Sequence, residues 1–203
     1  MSEPKSLGSR TTKGSVSGKS DPRVRRTRDL LGDALVALMQ QKPFDSIRVQ
    51  DVLDRAGVSR STFYEHFKDK DDLFDSDAEE FFERIATALS AHQEVSDRVV
   101  PLQEFFAHLR EMRPLYDAIV ASGKGHQHLE LAQGHFARGI EQRLKEIPRG
   151  RSVPDRERAV FAQAQAGAMI SLLQWWLRRG MKEPPAEMDD LFHRIFWNGA
   201  ALG

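Results

Sequence analysis

The sequence predicts an all-helical protein made of two bundles, a compact basic one followed by a larger acidic one. Two observations set the class: apolar residues recur every three to four positions through most of the chain, and no segment reads as a strand or an internal repeat. A third divides it. Residues 1–70 carry 14 Lys and Arg against 9 Asp and Glu, whereas residues 71–203 carry 16 against 21, so a net charge of zero hides +5 in front and −5 behind. A basic segment ahead of an acidic one points to a polyanion meeting only the front, although a solvated surface produces the same asymmetry.

Each element follows from its residues. Residues 1–21 are rich in Ser, Gly, Thr and Lys with almost nothing to bury, and read as a flexible tail. From Val24, the positions Leu30, Leu31, Ala34, Leu35, Leu38 and Met39 keep helical spacing until Pro43 forbids continuation, giving a first helix of about five turns. Val49, Val52, Leu53 and Ala56 form the stripe of a short second helix, which ends at Gly57. Ser59 is placed to cap a third helix and Asp69 to start a long fourth one through Leu73, Phe74, Phe81, Ile85 and Leu89. Further helices are expected at about 101–111, 114–122, 128–146, 156–179 and 187–199, punctuated by Pro114, Pro154 and the Pro184–Pro185 pair. The domains are then a tail over 1–21, a helix-turn-helix unit over 22–70 and a second bundle over 71–203.

Composition narrows the function classes. In 203 residues, 40% hydrophobic content supports a packed core, and the absence of cysteine removes thiolate metal sites and cysteine nucleophiles. No run is long and apolar enough to span a membrane, and the first residues lack the apolar stretch of a signal peptide, so the expected location is cytoplasmic. There is no phosphate-binding loop, dinucleotide glycine pattern or serine elbow, so no catalytic residue and no cofactor is assigned. His126 and His128, with His135 a helical distance on, have no cysteine company, and a polar loop carries such histidines in solvent, so they are not read as metal ligands.

The stretch Val58–Lys70, VSRSTFYEHFKDK, carries more information. On a helical wheel Phe63 and Phe67 share one face, and burying each is worth about 2–3 kcal/mol, which fixes the third helix across the turn Ala56–Ser59. The polar remainder is left outside. Two short helices joined by a glycine-containing turn, the second presenting Arg, Ser, Thr and Tyr, fit a DNA major groove. An ordinary helical hairpin with a polar outer face has the same spacing, so both readings stand on the spacing alone.

The run IRVQDVLDRAGVSRSTFYEHFKDKDDLF closely resembles the helix-turn-helix of the TetR family of bacterial transcriptional regulators, matching it at Val49, Asp51, Ala56, Gly57, Val58, Ser59, Thr62, Tyr64, His66, Phe67, Lys70 and Leu73. The resemblance implies that Ser59, Arg60, Ser61 and Thr62 lie at the groove, with Arg60 best suited to a bidentate guanine contact, and that Tyr64, His66 and Lys70 hold the phosphate backbone. His66 also suits a packing role. Arg28, with Arg23, Arg25 and Arg26, either touches phosphate or forms a solvated charge run. Arg48 stands where the family has Thr or Ser, so the cap expected there is lost at about 1 kcal/mol, and a nearby phosphate would account for a cation at a helix N-terminus.

One such unit offers few base contacts, so the second bundle is expected to dimerise. The resemblance implies a four-helix interface, and Ala164, Ala168, Leu172, Trp176, Phe192, Ile195 and Phe196 are its candidates. It also implies an effector site, for which Phe105, Phe106, His108, Leu109, Met112, Tyr116, Phe136 and Trp175 offer apolar walls with a few polar handles; core packing alone needs the same residues. Both tryptophans in the core of one subunit is the competing reading. The expected partners are an operator duplex, a second copy, and a small-molecule effector that releases a repressor. The alternative is an activator or co-regulator controlled by a partner protein, since the Trp175–Gly180 segment and the Phe196–Trp197 pair are similar to regulators of the dihydroxyacetone-kinase type.

Overall fold

Asp21 opens the first helix: its carboxylate accepts the Arg23 N–H at 2.9 Å, and Pro22 occupies the first turn where no N–H is needed. The computed structural model describes residues 21–198. The tail expected over 1–21 therefore lies outside the described residues except for Asp21, which is part of the helix start. Helices α1 (Pro22–Met39), α2 (Val49–Ala56) and α3 (Arg60–His66) form the first bundle. A single 3-10 turn, Phe44–Ser46, separates α1 from α2 and drives Phe44 into the core.

Helix α4 (Lys70–Ala91), capped by Asp69 accepting the Asp72 N–H at 2.9 Å, runs out of this bundle into the next. The second bundle continues with α5 (Leu102–Glu111), α6 (Arg113–Ala121), α7 (Gly125–Glu146), α8 (Asp155–Arg178) and α9 (Pro185–Asn198). All of the described regular structure is helical, and no described helix is long and apolar enough to cross a membrane. Helix α7 starts three residues before the expected position, because the Gly125–Gln127 segment winds into its first turn.

Two buried clusters organise these helices. The first gathers Leu31, Leu35, Ile47, Val52, Phe63, Phe67, Leu73 and Phe74; the second gathers Ala78, Phe82, Phe105, Phe106, Phe136, Ile140, Met169 and Trp176 with α9 residues. The changeover falls within one turn of α4, between Phe74 and Ala78. Leu115 and Ile119 of α6 pack against the first cluster, so α6 also spans the division. The backbones of α4 and α7 approach closely at Gly139, where any Cβ would collide with the Ala86 carbonyl. Buried Arg143 fastens the segment before α5 to α7 by donating Nε to the Arg98 carbonyl and Nη2 to the Ser96 carbonyl, both at 3.1 Å.

The histidines of α7 depart from expectation. They stand on helical turns, and only His126 is solvated; His128 and His135 are buried, the latter against Glu83 at 2.8 Å. His128 joins the aromatic wall of the bundle, its ring centroid 4.5 Å from that of Phe74.

Asp77 is the least comfortable carboxylate at the α1–α4 contact, where it lies against Gly32. Burial first, then Glu80, Asp33 and Asp29, push its carboxyl above the ordinary range, with Arg84 opposing. Folding thus favours the protonated form. The penalty is absent below the unfolded carboxyl's pKa, grows as pH rises, and is complete above the raised folded value. Asp77→Asn should therefore raise the urea midpoint at pH 7, with the advantage fading as pH falls from the raised folded value through the ordinary carboxylate range. Equal midpoints at pH 7 would contradict this origin.

Candidate functional site

The turn between α2 and α3 aims the outer surface of the first bundle. Gly57 ends α2 with φ +66°, a left-handed conformation that costs a residue with a side chain, and Ser59 then caps α3 by accepting the Thr62 N–H at 3.2 Å. Phe63 is fully buried and Phe67 nearly so, their ring centroids 5.8 Å apart. With that face sealed, Arg60, Ser61 and Tyr64 are exposed on the other, Tyr64 by 49%. The Arg60 guanidinium donates to the Tyr64 hydroxyl at 3.4 Å and lies over its ring, so a planar cation and a phenol project together from the first turn. The hydroxyls of Ser59, Ser61 and Thr62 form a local network, with Ser59 Oγ 2.8 Å from Thr62 Oγ1 and 3.0 Å from Ser61 Oγ.

Arg48 is exposed at the N-cap of α2. Its guanidinium has nothing with which to accept a hydrogen bond, yet the cap is only half lost, because the Asp51 carboxylate accepts the Arg48 N–H at 2.8 Å. The same carboxylate takes Lys42 Nζ at 2.7 Å, and this bond above all holds its pKa below the ordinary range. The expected loss of capping is thus partly recovered by a residue three positions along.

Three expected contacts are redirected. Lys70 Nζ donates to the Phe44 carbonyl at 2.7 Å and sits 4.3 Å from the Phe44 ring, so its charge fastens the start of α4 to the first bundle instead of standing free. Arg28 donates to the Ser76 hydroxyl and covers the Phe67 ring at 5.2 Å; of the expected arginine group, Arg23, Arg25 and Arg26 are exposed and Arg28 is not. His66 is half-buried with its ring edge-on to Phe67. Conversely Lys68, which the sequence reading passed over, is exposed at the end of α3. Its position two residues before Lys70 was the available signal, and only the Phe44 contact decides which lysine is free.

In the second bundle a cavity of about 310 Å³ opens between α4, α5, α6 and α7, with Asp33 and Val36 of α1 reaching its lining. Phe105, His108, Met112 and Tyr116 line it as expected, with Leu109. Phe106, Phe136 and Trp175 do not: Phe106 and Phe136 are fully buried in core packing and Trp175 is 40% exposed on the outside. The walls that sequence reasoning missed come from α4 and α7, namely Phe74, Phe81, Phe82, Asp77 and His128. Burial lowers the pKa of His108 and of His128 and raises that of Tyr116, so all three favour their neutral forms there. Two contacts join this region to the first bundle: Lys124 pairs with Asp71 at 2.7 Å and stands over both Phe44 and Phe74.

The outer face of α8 exposes Val160, Ala164, Ala168 and Trp175, with exposed Ser171 and half-buried Leu172 between the last two; Ile195 of α9 is exposed too. Trp176, Phe192 and Phe196, expected at a subunit interface, are instead buried within the chain, Trp176 by stacking on Phe106 at 4.7 Å and by donating its N–H to the Glu183 carbonyl. The two adjacent tryptophans do face different ways, Trp176 into the core of its own chain and Trp175 outward.

Comparison with known proteins gives this geometry its relatives. Residues 31–76 match the family described as bacterial regulatory proteins, tetR family, and residues 101–198 match a transcriptional regulator C-terminal region. Among solved structures the chain is similar to the dihydroxyacetone kinase operon activator DhaS, at 19% identity over 84% of this chain and 93% of that one, with a TM-score of 0.60. It is similar also to the fatty acid degradation regulator FadR from Bacillus halodurans (16% identity, 91% and 99% covered, TM-score 0.63) and to a TetR transcriptional regulator from Streptococcus agalactiae 2603V (21%, 86% and 96%, TM-score 0.52). At these identities the likeness is one of fold. No curated protein matches the chain. With a buried Phe63–Phe67 face, a polar face turned outward, and both bundles matched in order, the chain belongs to the TetR family of DNA-binding bacterial transcriptional regulators.

Proposed function

We propose that the protein is a homodimeric repressor that reads its operator with α3 and leaves it when a small molecule fills the cavity of the second bundle. The observation that carries the reading is the double membership of Phe74: it is buried in the core of the DNA-binding bundle and it lines the cavity. A molecule that presses on this wall acts on the same helix start that Lys70 and the Lys124–Asp71 pair fasten to the head. Such a molecule empties the operator only by binding the DNA-incompetent arrangement more tightly, and a differential of about 3–5 kcal/mol suffices.

Arg60, Ser61 and Tyr64 are the proposed groove residues, with Ser59 and Thr62 closing the first turn; Arg48 and Lys68 are proposed to hold phosphate. The α8 stripe from Val160 to Trp175, with Ile195, is the proposed contact with a second copy. Its small residues favour close helix approach, and a large exposed ring at one end suits an anchor. DhaS is an operon activator, so the opposite sign of regulation through a partner protein is the second reading.

Selection of bound sequences from random duplex should return a two-fold symmetric operator; an asymmetric site, or none, would count against a dimeric reader. Arg60→Ala should weaken binding to the selected duplex by about 1–3 kcal/mol and relax one base position, without changing thermal stability. Arg48→Ala should weaken all duplexes alike and reduce the salt slope by about one, and an unchanged slope would remove Arg48 from the phosphate contacts. Ala168→Arg should shift sedimentation from dimer to monomer, and a persisting dimer would relocate the interface. Native mass spectrometry of protein from its producing cell should show a bound small molecule, whereas a bound polypeptide would favour the second reading.

A further inference from the structure

The cavity of the second bundle offers a ligand lone pairs more than it offers donors. His128 stands in the first turns of α7, 9% exposed, with its ring against Phe74. Its Nδ1 lies 3.3 Å from the Lys124 carbonyl. A carbonyl only accepts, so Nδ1 carries the proton and Nε2 of the neutral ring is left with a lone pair. That Nε2 is buried and has no hydrogen-bond partner among the described residues, and His128 is one of the residues lining the cavity. Burial keeps the ring neutral, which removes the alternative of a second N–H at this atom.

The other polar groups reinforce the bias. Asp33 and Asp77 bring carboxylates to the α1–α4 side, and His108, tilted against Phe81 with ring centroids 4.8 Å apart, is a second neutral imidazole. Arg84 and the Tyr116 hydroxyl are the donors on the lining. Between these groups the walls are aromatic, from Phe74, Phe81, Phe82 and Phe105, and the space is about ten water-sized volumes. A carboxylate ligand would set its own lone pairs against Nε2 and its charge near two acids.

We infer that the cavity takes a compact, largely aromatic molecule without negative charge that donates a hydrogen bond, from a hydroxyl or an N–H, to Nε2 of His128. This deepens the effector reading above and rests on the cavity being a ligand site; it adds the chemical class that reading leaves open.

The test uses three probes on the full chain: 4-phenylphenol, its methyl ether and biphenyl-4-carboxylate, each titrated calorimetrically. The phenol should bind about ten-fold or more tighter than the ether, as expected for one buried acceptor satisfied or left bare, with the carboxylate weakest. In His128→Phe, which keeps a ring beside Phe74 and removes the acceptor, the phenol and the ether should bind alike. Equal phenol and ether affinities in the unmodified protein, a preference for the carboxylate, a phenol preference that survives His128→Phe, or no binding by any probe would each overturn the inference. The first two readouts need no variant, so misfolding of His128→Phe leaves the test intact. Operator release is scored separately. Phenol-selective binding with the operator still held would keep the inference and defeat the effector reading, and release by the carboxylate alone would do the reverse.

Discussion

Everything in this molecule depends on one helix serving two cores. Leu73 and Phe74 complete the hydrophobic cluster of the DNA-binding bundle, and Ala78, Phe82 and Ala86, on the following turns of α4, are buried in the second bundle. A helix is stiff over this length, so displacement of one end is delivered to the other. The junction is then locked from outside. Lys70 fastens α4 to the 3-10 turn at Phe44, Lys124 reaches from the start of α7 to Asp71, and α6 contributes Leu115 and Ile119 to the first core. The two bundles therefore meet through aromatic and charged contacts that are partly buried, where cation–π and ion-pair terms exceed their surface values.

The first bundle shows why few residues suffice to present a reading surface. Burying Phe63 and Phe67 fixes the roll of α3, Gly57 and Ser59 fix where it starts, and the outward direction of Arg60 and Tyr64 follows without any contact dedicated to it. The Arg60–Tyr64 contact limits the freedom of two long side chains, which would lower the entropic cost of ordering them at the proposed groove contact. Arg48 illustrates substitution at a cap: the hydroxyl typical of the family is gone, and the Asp51 carboxylate, itself tied to Lys42, takes over part of its task.

Much of this was legible in the residues. Helical periodicity located all nine described helices, usually to within two residues, because proline, glycine and capping residues mark their ends. The outward face of α3 was readable because two phenylalanines four apart leave little choice of roll. What was not readable depended on pairing across distance. The fates of Lys70 and Arg28 are decided by Phe44 and Ser76, 26 and 48 positions away. Trp175 and Trp176 were known to face different ways, but α8 shows apolar residues on several sides, so periodicity could not tell which side meets Phe106. The buried state of His128 and His135 was missed because GKGHQH reads as a polar loop, although Glu83 and Phe74 on α4 await those rings. The largest share of the cavity wall lies on α4, whose aromatics looked sufficient for a core alone.

The shared helix is most directly tested by equilibrium unfolding in urea followed with two probes at one protein concentration. Trp175, Trp176 and Trp197 all belong to the second bundle, so tryptophan fluorescence reports that bundle, whereas far-ultraviolet circular dichroism reports helices of both. If α4 binds the two cores into one cooperative unit, the transitions coincide in midpoint and steepness. A dichroism curve with a separate phase that fluorescence does not register would mean that the head unfolds on its own, and would contradict the coupling on which the proposed switch depends.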